Sequence, residues 1–479
     1  MAQPSFAPGS FRDRTSRVIL DRDSVYRALT HDAHLEWKAL ARTKFFPRLM
    51  KAGMIISTTE VDGAAIAEDL APWTGETKWT GWLRHERVEL ISYPFEWSFS
   101  MLRDAAILQL DVIEAAIEED MILEDGSPYN VQFRGTTPVF IDIGSFQRLA
   151  AGEPWAGYRQ FCQLCLFPLM LEAYKGVSFR PWLRGSLEGI EAETMRRLMS
   201  NRDLLRRGVF LHVLLQAKLQ SRMAATDRSI KQDLRRAGFH KTLILANVRR
   251  LRRLIRRLSP PAEASAWSDY EQTHGYSRED RAIKEDFVRR ASAVQTWNMV
   301  WDLGCNTGTF ARIAAEHANY TLATDADPVV IDLLYQRLRD QQDGSILPLV
   351  VNWADSTSGI GWRGKERQSL TDRGRPDLTL CLGFLHHLVI GAHVPLTDFL
   401  DWLAELDTDL VIEFIDKRDP AVARMLRDRP DIYDDYQPAV FETRLRAAFD
   451  IVDRKALPMG TRTLYFARRC KAAGIRACQ

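Results

Sequence analysis

Long apolar runs are missing from this 479-residue chain. No apolar run reaches about 18 uncharged residues, so no membrane-spanning helix is expected. The N-terminus, Met-Ala-Gln-Pro-Ser-Phe, lacks the basic start and apolar core of a secretory signal, and a cytoplasmic protein is expected. Cysteine is scarce, with six residues at 162, 165, 305, 381, 470 and 478. Cys162 and Cys165 stand in Cys-x-x-Cys spacing without a second pair, so a zinc site is not expected and the thiols read as free and buried. Neither charge sign dominates. A net charge of +2 argues against nucleic acid as a partner.

What is present begins at residue 299. Met-Val-Trp-Asp302-Leu-Gly304-Cys305-Asn306-Thr-Gly308 is an apolar run, then an acid, then a glycine turn, and a helical pattern follows from Thr309. Strand, glycine loop and helix N-terminus together let backbone approach a nucleotide-like ligand. The spacing is D-x-G-x-x-x-G, which fits neither dinucleotide nor P-loop signatures. Tyr320–Thr324 reads as a second strand, with Asp325 at its end, 21 residues after Gly304. A carboxylate there can accept ribose hydroxyls, or Asp325 or Asp327 can cap the helix that starts near Pro328.

Residues 299–468 alternate strand and helix patterns, which implies a mostly parallel, buried sheet. Strands are expected near 299–303, 320–325, 347–351, 377–382, 409–414, 449–453 and 462–468. Three clusters fall beyond strand ends, where ligands gather in such sheets. Asn352-Trp353-Ala-Asp355 offers a ring that can stack and an acid that either contacts adenine or forms a turn. His386-His387 offers imidazoles that titrate near neutrality, one of which is expected at the reacting region. Glu413 is expected to face the cleft and meet a histidine or a substrate amine, or else to pair with Lys417 or Arg418. Paired histidines without i,i+4 spacing do not suit a metal.

The Asp302–Gly308 loop, with an acid at Asp325, resembles motif I and the ribose-binding acid of class I S-adenosylmethionine (SAM) methyltransferases. That resemblance implies a Rossmann-like seven-stranded methyltransferase domain over 299–470 whose last strands form a hairpin. It implies SAM as cofactor, held by Asp302, Gly304, Cys305, Asn306, Gly308, Asp325, Trp353 and Asp355. His386, His387 and Glu413 are then the catalytic candidates. The insertion Ile360–Leu370, rich in charge and aromatics, is expected to cap the site as a lid or acceptor loop. Taken with His-His-Leu and Ile-Glu-Phe, it resembles bacterial two-part, NoeA-type nodulation-region proteins. The acceptor is open, a small molecule or a protein.

Residues 25–258 read as mostly helical, with strand-like pieces near 87–93 and 131–142. Residues 1–24 read as a loose arm, 259–298 as linker and polar lead-in, and 471–479 as a tail. The helix 241–258 carries an apolar stripe of Ile244, Val248, Leu251, Ile255 and Leu258, with arginines off it, and reads as a solvated helix linking two domains. Asp125-x4-Asn130, then Asp142-Ile-Gly144 at the end of an apolar strand, resembles the catalytic loop and metal-binding acid of protein-kinase and aminoglycoside-phosphotransferase folds. By that resemblance Asp125 is a base, and Asn130 and Asp142 hold magnesium. No G-x-G-x-x-G stretch and no Val-Ala-Ile-Lys strand precedes Asp125, so a kinase-like α+β region that recognises the acceptor is expected. Turn formers in a plain hairpin are the bland reading. Two alternatives to a methyltransferase follow: a phosphotransferase or bifunctional protein using Asp125, Asn130 and Asp142, and a non-catalytic SAM-binding interaction protein.

Overall fold

The computed structural model describes residues 5–21, 24–62, 79–150, 152–217, 241–260, 277–427 and 430–470. The chain separates into two compact units. Unit 1 comprises residues 1–262 together with Gly359–Gln368, and unit 2 comprises residues 263–358 and 369–479. Residues 261–276 of the expected linker and lead-in, the tail 471–479 and Cys478 lie outside the described residues. Among the described residues, no helix is long and apolar enough to cross a membrane.

Unit 1 starts with an antiparallel five-stranded sheet in the order β1-β2-β3-β5-β4. Its strands are β1 (Ser5–Phe6), β2 (Ser16–Leu20), β3 (Val25–Leu29), β4 (Thr58–Glu60) and β5 (Gly81–His85). This corrects one expectation and refines another. The supposed loose arm supplies β1 and β2, and the described residues after 25, more often helical than strand, carry three further strands of this sheet, β3, β4 and β5. The strands are short and carry polar residues inward, such as Ser16 and Arg27, so they lack a clean alternating pattern. The strand expected near 87–93 lies earlier, at β5.

The helix Phe99–Glu118 forms the core of the next part, capped by Ser98, whose hydroxyl accepts from the Met101 N–H. Residues Met101, Leu102, Leu110, Val112 and Ile113 on it are fully buried. Strand β6 (Met121–Leu123) pairs with β9 (Phe146–Arg148), and β7 (Val131–Arg134) pairs with β8 (Thr137–Phe140) as the expected hairpin. The helix Lys241–Ile255 buries its apolar stripe. It lies on the helix Phe99–Glu118, with Arg252 bridging Asp111 at 2.6 Å and Glu114 at 2.7 Å and Arg249 bridging Glu114 at 2.6 Å. It is therefore an integral part of unit 1 and not a solvated connector.

Unit 2 holds all seven expected strands, in the order β12-β11-β10-β13-β14-β16-β15. They are β10 (Trp297–Leu303), β11 (Ala318–Asp325), β12 (Ile346–Val350), β13 (Leu378–Cys381), β14 (Asp409–Ile415), β15 (Phe449–Ala456) and β16 (Arg462–Arg469). β16 runs antiparallel to β14 and forms the terminal hairpin with β15, and the other neighbours are parallel. Unit 2 is thus a Rossmann-like seven-stranded α/β domain. β14 is buried along its whole length, which is why its sequence runs apolar rather than alternating. The edge strand β15 exposes Asp450, Arg454 and Lys455, which blunts edge-to-edge pairing.

The polar lead-in hides the helix Arg278–Ser292. Ser277 and Asp280 close its start as a capping box, and Phe287, Val288 and Ala291 enter the sheet's core. Strand order reverses between β10 and β13, and the Gly304–Gly308 turn lies just beyond that point. Gly308 sits at φ +82°, and a Cβ there would meet Leu334 Cδ1 at 2.6 Å. Gly308→Ala should therefore destabilise the protein by about 2–4 kcal/mol, from left-handed strain plus overpacking, as read by urea denaturation.

Candidate active site

A cavity of about 940 Å³ opens in unit 2 at the carboxyl ends of the parallel strands. Its floor is the turn after β10, including Gly304, Cys305, Asn306 and Thr307. Asp325 and Asp327 come from the end of β11, Asn352, Trp353 and Ala354 from the end of β12, and Leu382, Gly383, Phe384 and His387 from the end of β13. The helix Arg278–Ser292 adds Arg278, Arg281 and Lys284.

The turn is held by backbone geometry. The N–H groups of Gly304 and Cys305 both donate to the Thr324 carbonyl, at 2.8 Å each. Gly304 sits at φ +76°, and a Cβ there would meet the Phe384 ring at 2.8 Å. Asp325 accepts from the Asn306 N–H at 3.0 Å with one oxygen and from the Asp327 N–H at 2.9 Å with the other. Asp327 caps the helix Pro328–Asp340 by accepting from the Val329 N–H at 2.8 Å. The cap thus falls to Asp327, and Asp325 stays on the cavity wall. Burial raises the Asp325 pKa, and its backbone hydrogen bonds hold it down.

Other expected residues are placed differently. Trp353 lines the cavity, but its ring packs near Trp301 and Trp402, with centroids at 5.6 and 5.2 Å. Its N–H donates to the Thr324 hydroxyl at 2.9 Å. Asp355 is solvent-exposed and lies off the cavity, because the short 3-10 turn Trp353–Asp355 carries it past the rim. Of the two histidines, His387 lines the cavity and His386 is buried behind it, with ring centroids 4.0 Å apart. Burial lowers the His387 pKa, so the ring is neutral at pH 7. Gly308 also lies outside the cavity lining and serves the turn's packing on Leu334.

Glu413 does not face the cleft and does not pair with Lys417 or Arg418. It lies inside β14, fully buried, and accepts from Lys284 Nζ at 2.8 Å. Lys417 instead binds Asp431, and Arg418 binds Asp416. Lys284 stands 4.8 Å from the centroid of Phe310, on the cavity wall. The lysine went unnoticed because it belongs to the polar lead-in. Its i−3 and i−6 neighbours Arg281 and Arg278, on one helix face, were the available signal.

Asp302 is wholly buried at the end of β10, and among the described residues its Oδ2 has no hydrogen-bond partner. Burial, then the Asp325 charge, pushes its pKa up to about 7, against the pull of Lys284.

In unit 1, Asp125 follows β6, Asn130 ends the turn Pro128–Asn130, and Asp142 follows β8. Asp142 forms an ion pair with Arg27 of β3 at 3.0 Å, and a Cβ on Gly144 would meet Arg27 Nη1 at 2.7 Å. The Asp125 carboxyl is pushed up to about 6 by burial and the Asp142 charge, and the Ile141 N–H next to Asp142 donates to the Asn130 carbonyl at 2.9 Å, so the three expected residues share one region. Arg27 is the residue missed there, since Val-Tyr-Arg-Ala-Leu was not read as a strand. Among the described residues, no group of three His, Cys, Asp or Glu side chains is arranged to hold a metal.

Most of the expected lid Ile360–Leu370 belongs to unit 1, in the segment Gly359–Gln368, while Ser369 and Leu370 belong to unit 2. Glu366 pairs with Arg12, the Arg367 guanidinium lies 3.8 Å from the Tyr129 centroid, and the Gln368 N–H donates to the Tyr93 hydroxyl at 3.0 Å.

No protein-family profile matches the chain. The nodulation protein NoeA of Rhizobium meliloti (strain 1021) is 31% identical over 465 residues, covering 97% of this chain and 96% of its own. The chain belongs to the NoeA family. Among solved structures, it is similar to the N-methyltransferase NodS of Bradyrhizobium japonicum WM9 in complex with S-adenosyl-L-homocysteine. That match has 15% identity and a TM-score of 0.31, covering 44% of this chain and 94% of that one. The bifunctional kinase-methyltransferase WbdD matches at 17% identity with a TM-score of 0.30, over 42% of this chain and 41% of its own.

Two outcomes are expected of this NoeA-family chain. Lys284→Met strands a buried carboxylate at Glu413 and should cost about 3–5 kcal/mol, most of it recovered in Lys284→Met/Glu413→Leu, as read by chemical denaturation. The second concerns Asp302. Its folded pKa near 7 lies above the unfolded value, so the folded state keeps a proton that the unfolded state releases, and stability falls as pH rises between about 4 and 7. Asp302→Asn should match the parent's melting temperature at pH 4 and exceed it increasingly up to pH 7.

Proposed function

We propose that unit 2 is a SAM-dependent methyltransferase domain and that unit 1 serves recognition of the acceptor. The observation that carries the reading is the braced Gly304–Asn306 turn with the Asp325 carboxylate beside it on the wall of a ligand-sized cavity. The cradle fits the cofactor, since the space a Gly304 Cβ would fill keeps backbone exposed to the ligand. Asp325 would accept the ribose hydroxyls. Gly304, Cys305 and Asn306 would lie along the amino-acid part, and Val351, Asn352 and Trp353 would flank the base. Bound there, SAM supplies an electrophilic methyl group on a positively charged sulfur.

This chain's own contribution is then largely positioning, together with proton removal where the acceptor carries a proton. His387 is the group we assign to that removal. Its neutral imidazole lines the cavity and can accept a proton from an amine or hydroxyl. His386 and Glu413 stand behind the wall as packing and as the partner of Lys284. Asp302 offers a compensating charge beneath the turn when a cation enters the cavity.

Calorimetric titration with S-adenosylhomocysteine tests the cofactor reading. Binding should weaken by roughly tenfold or more in Asp325→Ala, as expected when hydrogen bonds to a charged group are lost. Equal affinity in parent and variant would sink it. For His387→Gln, cofactor affinity should hold while methyl transfer to an accepted acceptor falls by roughly 10²–10⁴. The parent's rate should reach its plateau at a pH below the usual histidine range, because burial lowers the His387 pKa.

A further inference from the structure

The hairpin Gly359–Gln368 carries a signature that the function above does not use. Gly359-Ile-Gly361-Trp-Arg-Gly364 has G-x-G-x-x-G spacing, and the three glycines sit at φ +96°, +84° and +65°. Such backbone is forbidden to most side chains and lets N–H groups converge on an anion. The hairpin is closed by mutual Ile360–Arg367 backbone hydrogen bonds of 2.9 Å.

An anion already lies in it. Glu366 Oε2 accepts from the Trp362 N–H at 3.0 Å and from Arg12 Nη2 at 2.9 Å, and Oε1 accepts from Arg12 Nε. A Cβ on Gly361 would meet Glu366 Oε2 at 2.4 Å, so only glycine admits the carboxylate this close to the backbone. The carboxylate is nearly buried, with 8% of its side chain exposed, whereas Arg12 is 56% exposed. The forked guanidinium thus grips the carboxylate in two places and faces solvent on its other side. That fork fits phosphate oxygens as well as carboxylate oxygens. Beside it, Arg367 covers Tyr129 in the Asp125–Asn130 turn.

We propose that Arg12 and the Gly359–Gly364 turn form a binding site for the phosphate chain of a ligand, kept closed in this structure by Glu366 as an internal substitute. The carboxylate oxygens of Glu366 stand where two phosphate oxygens would lie. An incoming phosphate chain must displace Glu366, so affinity in the parent protein is low by design. The carboxylate is tethered and always at hand, while the ligand must be recruited from solution. The site lies within unit 1 and does not depend on the methyltransferase reading of unit 2.

The test is calorimetric titration of the full-length protein with inorganic pyrophosphate and with magnesium-ATP. Pyrophosphate should bind Glu366→Ala at least tenfold more tightly than the parent, and Arg12→Ala/Glu366→Ala should lose the gain. Glu366→Gln keeps the shape while removing the charge and replacing one acceptor oxygen with an NH2 donor. It should show a smaller gain in the same direction, which keeps the test valid if the alanine variant folds poorly. Equal pyrophosphate affinity in the parent and both Glu366 variants overturns the proposal, as does a gain that survives removal of Arg12. Sulfate binding as tightly as pyrophosphate in Glu366→Ala would also overturn it, since the site would then accept any oxyanion. Magnesium-ATP binding with pyrophosphate-like affinity places only the phosphate chain in the site. Tighter ATP binding extends the site to a nucleoside.

Discussion

One carboxylate braces the floor of the cavity. Asp325 ties the turn after β10 to the start of the segment after β11 by accepting one backbone N–H from each. Without that bracket the Gly304–Gly308 turn would be fixed to its neighbour strand chiefly through the Thr324 carbonyl. The same group is the one proposed to meet ribose, so structural and binding duties compete for its lone pairs. A carboxylate has about four acceptor sites, and the backbone takes two, which leaves capacity for a diol.

Around that bracket, electrostatics is managed in pairs. The wholly buried Glu413 is matched by Lys284 across the sheet, and the buried Asp419 is matched by Arg462 at 2.7 Å. Among the described residues the Asp302 Oδ2 has no hydrogen-bond partner, and this buried carboxyl answers by holding a proton near neutrality. In unit 1 the same logic places Arg27 against Asp142 and leaves Asp125 raised.

Unit 2 was legible because its signals are local and strong. Buried parallel strands run apolar, Gly304 and Gly308 mark a turn that needs positive φ, and an acid ends the second strand. Residue roles that depend on which way a side chain leaves a strand were not legible. Glu413 and His386 sit one pleat or one turn from the cavity, and sequence alone cannot say which neighbour faces it. Unit 1 was harder because its sheet is short-stranded and carries Ser16, Arg27 and Thr58 inward, which erases the period-2 pattern. The destination of Gly359–Gln368 was illegible for another reason. A segment's sequence position says nothing about which body it completes when the contacts span more than two hundred residues.

That last feature bears on how the chain is made. Unit 1 is otherwise finished by residue 262, yet its remaining ten residues, Gly359–Gln368, lie 97 to 106 residues further on. At a synthesis rate of roughly 5–20 residues per second, that interval is about 5–20 s. Through it, Arg12, Tyr93 and Tyr129 must wait on the ribosome without the hairpin that covers them. Early folding of unit 1 is therefore provisional, and its completion is timed by emergence of the hairpin that follows β12.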